Sequence, residues 1–98
     1  MTRITMKEED GKVVITADGH SGYAPAGEDI VCAGVSALMF AAASAAMELE
    51  DAEIGELRNG YMKVILPVNV RTQLLINSLR ESFEMLELKY EKFVTLQG

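Results

Sequence analysis

This chain has little of what most often does chemistry. Its 98 residues include one cysteine, Cys32, and one histidine, His20, with no tryptophan and only two prolines. A single cysteine cannot form an internal disulfide, and no signal-peptide pattern is present, so a reducing cytoplasm is the expected location. No metal or cofactor is called for. Cations are scarce too: nine Lys and Arg stand against fifteen Asp and Glu, a net charge of -6. That balance argues against direct nucleic-acid binding, which normally shows a basic stripe. It suits a basic protein or peptide as partner, because opposite potentials steer association. No charged residue interrupts the run from Ile30 to Met47. A bilayer span needs about 20 mostly apolar residues, so this alanine-rich run reads as the buried helix of a soluble protein, with no membrane partner. What is abundant is apolar surface: 49% of the residues are hydrophobic, enough for a core in a single domain over residues 1–98.

Periodicity supplies the element order. Ile4 and Met6 alternate with Arg3, Thr5 and Lys7, the pattern of a half-buried strand. Asp10-Gly11 then separates that run from Val13–Ala17, a hairpin signal, and the second strand should end near Asp18. Glycines and Pro25 break the pattern until a helix opens at Asp29, a good N-cap, and runs to about Asp51 with Gly55 beyond its end. Its face is apolar nearly all round and rich in small alanines, which calls for cover on more than one side and makes a partner subunit plausible. A second hairpin turns at Asn59-Gly60 between Ile54–Arg58 and Tyr61–Leu66. Asn69 caps a second helix with a stripe of Leu75, Leu79, Phe83 and Leu86, and with Arg80, Glu81, Glu84 and Glu87 on a solvated face. The segment from Lys89 to Gln97 reads as a last strand. The sum is ββ-α-ββ-α-β, a two-layer α+β fold with two helices on one face of a mainly antiparallel sheet.

Between the first hairpin and the first helix lies the segment that can carry chemistry. Gly19-His20 is followed by a Gly- and Pro-containing loop and then Asp29-Ile30-Val31-Cys32. If Asp29 caps, Cys32 falls in the first helical turn. A thiol attacks only as thiolate, and both helix N-terminal amides and a nearby imidazolium favour that form. Free amides there could hold the oxyanion of a tetrahedral intermediate, and His20 could protonate a leaving amine. Ser36 is one turn from Cys32 on the same face and could donate to the thiolate or bind substrate. Asp29 could orient His20 or merely cap the helix, and these roles compete, since a carboxylate near sulfur disfavours the thiolate. Asp18 is another candidate orienter. The plain structural readings are a buried core cysteine, a turn histidine and a serine bonded back to the preceding helical turn.

At these residues the sequence resembles the bacterial ribosomal-processing cysteine protease family, Prp. The resemblance rests on Gly19-His20, on Gly27-Glu28-Asp29-Ile30-Val31-Cys32-Ala33, and on Ser36. It implies a homodimeric cysteine endopeptidase, with Cys32 as nucleophile, His20 as its acid/base partner, and Asp29 and Ser36 assisting. It further implies removal of an N-terminal extension from large-subunit ribosomal protein number twenty-seven, with cleavage after a pair of phenylalanines and hence an apolar groove beside Cys32. The loop holding Gly22, Tyr23, Pro25 and Gly27 would move aside for substrate. Two alternatives stand beside this reading. One is a phage-related member of the family that processes capsid or scaffold proteins. The other is a non-catalytic dimeric module that binds a peptide through a sheet edge. A redox-sensing thiol fits less well, because no resolving cysteine is present.

Overall fold

The computed structural model describes residues 1–98. Its elements are β1 (Thr2–Glu9), β2 (Lys12–Asp18), α1 (Ile30–Met47), β3 (Glu53–Arg58), β4 (Tyr61–Pro67), α2 (Val70–Lys89) and β5 (Val94–Gln97). This is the expected ββ-α-ββ-α-β order. The strands form one five-stranded sheet in the order β3-β4-β2-β1-β5. All neighbours are antiparallel except β1 and β5, which run parallel.

Register explains which face is covered. Ile4 sits opposite Ala17, Met6 opposite Ile15, and Ile15 in turn opposite Val64, with Val13 opposite Leu66. Because strand side chains alternate, all of these project to one face, and all are buried. Their odd-numbered or polar neighbours Arg3, Thr5, Thr16 and Lys63 take the other face, where the hydroxyls of Thr5 and Thr16 hydrogen-bond across β1 and β2. Both helices cover the apolar face. Val31, Val35, Met39, Ala42, Ala43 and Ala46 enter the core from α1, while Thr72, Ile76, Leu79 and Phe83 enter from α2.

The turns follow their residues. Asp10 and Gly11 both adopt positive φ, at 50° and 76°, which a right-twisted two-residue hairpin demands and Asp-Gly tolerates. Asn69 begins α2 with a reciprocal cap: its side chain accepts from Thr72 N at 3.0 Å, and its own N–H donates to Thr72 Oγ1 at 3.0 Å.

Four expectations need correction. The first helix ends at Met47, not near Asp51, because Glu48 and Leu49 already close the last turn onto Ala45 and Ala46. Gly55 is not a helix-end signal; it lies within β3 at a register shift, facing the Lys63 side chain. The last strand is shorter than Lys89–Gln97, since α2 runs through Lys89 and Tyr90 is its C-cap. The polar face of α2 is only partly solvated. Glu87 accepts from Leu96 N at 2.8 Å and from Thr95 Oγ1 at 3.3 Å. Arg80 donates to the carbonyls of Gly98 and Met6 at 2.7 and 3.4 Å, so these two residues fasten β5 to the helix. The apolar circumference of α1 is covered on one side only. Ile30, Phe40 and Met47 are 59%, 59% and 78% exposed, with Ala33, Ala37 and Ala41 between them, also exposed.

Phe83 is fully buried at the centre of this core. Phe83→Ala should therefore cost about 3–5 kcal/mol of stability, read as a lowered midpoint in urea denaturation with the slope unchanged.

Candidate active site

The site is built where β2 ends and α1 begins. Gly19 leaves β2 with φ 91°, and a Cβ there would lie 2.7 Å from the Met1 carbonyl oxygen. Only glycine fits. Its N–H donates to the Gly60 carbonyl at 2.7 Å, which fastens the end of β2 to the β3–β4 turn. His20 follows and lies against that turn: a Cβ at Gly60 would sit 3.1 Å from His20 Nε2. The imidazole is exposed and makes no hydrogen bond to Cys32, Asp29 or Asp18.

Asp29 is the junction of the site. Its Oδ1 accepts from Cys32 N at 2.9 Å, so it caps α1 and fixes the turn that carries the thiol. Its Oδ2 accepts from the Ser21 hydroxyl at 2.6 Å and from the amides of Tyr23 and Ala24 at 3.2 and 3.4 Å. Partial burial pushes this carboxyl's pKa up, but the Ser21 hydroxyl, the Cys32 and Ala24 amides and, least, the nearby thiol outweigh it. The net effect holds the carboxyl at about 2 instead of 3.8. Of the two roles open to Asp29, the structure realises the cap.

The thiol itself is bonded to a residue that sequence reasoning did not single out. Ser21 N–H donates to Cys32 Sγ at 3.3 Å, and Ser21 Oγ lies 3.6 Å from the sulfur. Ser21 is 2% exposed. Nothing in its spacing marks it among loop serines; the one available signal was that an N-capping aspartate has a second oxygen in need of donors. The expectation of free amides at the helix start is corrected for two of them. Cys32 N is taken by Asp29 Oδ1, and Ala33 N by the Asp29 carbonyl oxygen at 3.1 Å.

Around the thiol lies a cleft of about 810 Å³ between α1, the loop and the β3–β4 hairpin. His20, Cys32, Asp29, Ser36, Gly22 and Gly27 all line it, as do Ala33, Phe40, Leu57 and Met62, which give it an apolar wall. The Ser36 hydroxyl makes no hydrogen bond within the protein and is free to meet a ligand. Tyr23 and Pro25 are not part of the lining. Tyr23 instead turns outward, its ring edge-on to Tyr90 at 5.6 Å and to Phe93 at 5.3 Å between centroids. Arg58 stands at the hairpin side, ion-paired with Glu56 and stacked 4.6 Å over the Tyr61 ring; the Glu56 partner raises its pKa further. No cluster of potential metal ligands is present.

Residues 1–95 match the family model described as cysteine protease Prp. The chain belongs to the Prp family of cysteine proteases. It is 32% identical to the ribosomal processing cysteine protease Prp of Bacillus subtilis, over 93% of this chain and 91% of that one. Identity to the Prp of Staphylococcus aureus is 30%, over 95% and 92%. The fold agrees as well. A crystal structure of S. aureus Prp, an essential ribosomal processing protease with a covalently linked product peptide, superposes with a TM-score of 0.82 at 31% identity. That match covers 99% of this chain and 98% of that one. The protein is thus a cysteine-type peptidase of the Prp fold, which sets aside the reading as a non-catalytic binding module.

Because the folded state holds the Asp29 carboxyl below its unfolded pKa, the stability it contributes is complete above 3.8 and is lost as pH falls from there towards about 2. Asp29→Ala should flatten the stability profile across that window and cost about 0.5–2 kcal/mol at neutral pH through the lost cap. Urea melts of both proteins through the acid range check this.

Proposed function

We propose that Cys32 and His20 are the nucleophile and the acid/base partner of a cytoplasmic endopeptidase acting on a ribosomal protein precursor. The observation that carries this is that the chain's one thiol and one imidazole line the same cleft, in a chain that belongs to the Prp family. In this reading a single catalytic domain spans residues 1–98. Cys32 Sγ adds to the scissile carbonyl as its proton passes to His20. The imidazolium then gives that proton to the leaving amine, and water releases the acyl group from the sulfur with His20 again as base.

The support for each further residue differs. Asp29 assists by fixing the helical turn that presents the thiol. Ser36, with its hydroxyl uncommitted, is available to a substrate amide or carbonyl, or to the developing oxyanion. The apolar wall formed by Phe40, Leu57, Ala33 and Met62 suits aromatic side chains on the acyl side of the cut. The substrate class that fits is the N-terminal extension of large-subunit ribosomal protein number twenty-seven, cut after its phenylalanine pair. S. aureus Prp has been crystallised with a substrate peptide, and that structure matches this chain with a TM-score of 0.77 at 27% identity. The loop of Gly22, Tyr23, Pro25 and Gly27 gates entry. Its first half is tied to Asp29, while Pro25–Glu28 is exposed and bonded only through Glu28 N to the Pro25 carbonyl at 3.0 Å.

The active form in this reading is a homodimer. The exposed stripe Ile30, Ala37, Ala41 and Met47, outside the cleft lining, carries no charge, and small residues between large ones let a second copy of the same helix approach closely. Ala37→Glu should then convert a dimer to a monomer in sedimentation equilibrium; a wild-type protein that is monomeric at all concentrations overturns the assignment.

The central experiment uses a peptide copying the extension junction, read by mass spectrometry. Wild type should cut once, Cys32→Ala should not cut, and His20→Ala should lose at least about a hundredfold in rate. Cleavage by Cys32→Ala would refute the nucleophile assignment.

A further inference from the structure

The Cys32 sulfur is hydrogen-bonded to Ser21 and not to His20. The hydrogens around Ser21 Oγ can be counted. A serine hydroxyl gives one hydrogen and accepts with two lone pairs, whereas an ionised carboxylate only accepts. The 2.6 Å contact with Asp29 Oδ2 therefore uses the hydroxyl's own hydrogen. Tyr23 N–H, shared with Asp29 Oδ2, approaches one lone pair from 3.2 Å. Only the second lone pair remains to face the sulfur at 3.6 Å, so the hydrogen between those two atoms belongs to the thiol. Ser21 is almost fully buried.

We propose that Ser21 is a positioning residue that holds Cys32 in a protonated resting form, the S–H given to Ser21 Oγ and the Ser21 O–H given to Asp29. A hydrogen bond donated by the neutral form of a group favours that form. Ionising the sulfur here would set it against an oxygen lone pair, with the Asp29 charge behind it. The Ser21 N–H pulls the other way, but it belongs to the same residue and leaves the sulfur with it. Ser21 opens the loop proposed to gate the cleft, so displacing that loop and freeing the thiol proton for His20 become one event. The other charged or titratable groups facing the cleft are His20 at the end of β2, Asp29 at the cap of α1, and Arg58 and Tyr61 on the hairpin; α2 contributes none. The link to turnover rests on the nucleophile assignment above, whereas the effect on ionisation does not.

The test is the rate of Cys32 alkylation by iodoacetamide as a function of pH, on the full chain without peptide. In Ser21→Ala the midpoint of the profile should fall by about half a pH unit or more, about threefold more thiolate below the midpoint. Ser21→Thr, which keeps the hydroxyl, should retain the wild-type midpoint. An unchanged or raised midpoint in Ser21→Ala overturns the proposal, and so does a rate that rises uniformly at every pH, the signature of a loop that is merely looser. If Ser21→Ala does not fold by circular dichroism, Ser21→Gly, which also lacks the hydroxyl, decides by the same criterion. A lowered midpoint in a protein that cuts no extension peptide would sustain the role of Ser21 and refute the substrate assignment.

Discussion

One carboxylate organises this protein's working end. Asp29 uses one oxygen to cap α1 at Cys32 N and the other to collect Ser21, Tyr23 and Ala24. A helix start without its cap leaves unpaired amide donors, and a glycine-rich loop without an anchor has no reason to hold one conformation. Both problems are solved by the same side chain. Because the cap and the anchor share a charge centre, the thiol's helical turn and the loop beside it cannot be placed independently of each other.

The remainder of the fold presents the opposite wall of the cleft. The β3–β4 hairpin lies beyond β2 in the sheet, and its turn is drawn towards the end of β2 by the Gly19 N–H on the Gly60 carbonyl. Gly60, with φ 80° and His20 Nε2 where a Cβ would point, leaves space for the imidazole. His20 thus belongs structurally to the sheet side and Cys32 to the helix side. Both residues line the cleft that opens between the helix start, the loop and the hairpin.

Much of this was legible in the residues. Alternation in Ile4–Met6 and Val13–Ala17, the Asp-Gly and Asn-Gly turns and the caps Asp29 and Asn69 carry the element order, since each is a local signal with a local cause. The errors fell where tertiary contacts overrule local ones. The end of α1 could not be read from Glu48–Asp51, since poor dipole chemistry does not say at which residue a helix stops. Tyr90 and Phe93 resemble strand residues by type, yet one caps a helix and both pack on Tyr23, a contact between segments far apart in the chain. His20, Cys32, Asp29 and Ser36, singled out by residue type and spacing, all line one cleft. Ser21 could not be singled out in that way, because its importance lies in a hydrogen-bond count that only coordinates reveal.

The parallel pairing of β5 with β1 has a bearing on how the chain comes to be made. Val94–Gln97 lie alongside Thr2–Thr5, and the aromatic clasp on Tyr23 draws on Tyr90 and Phe93 from the same late segment. During synthesis the hairpin of β1 and β2 and the helix bearing the thiol emerge first, but the clasp cannot close until the final strand has left the ribosome. Nascent chains therefore carry Cys32 with its neighbouring loop unclasped, and the order of translation makes the closed site a later feature than the helix that bears the thiol.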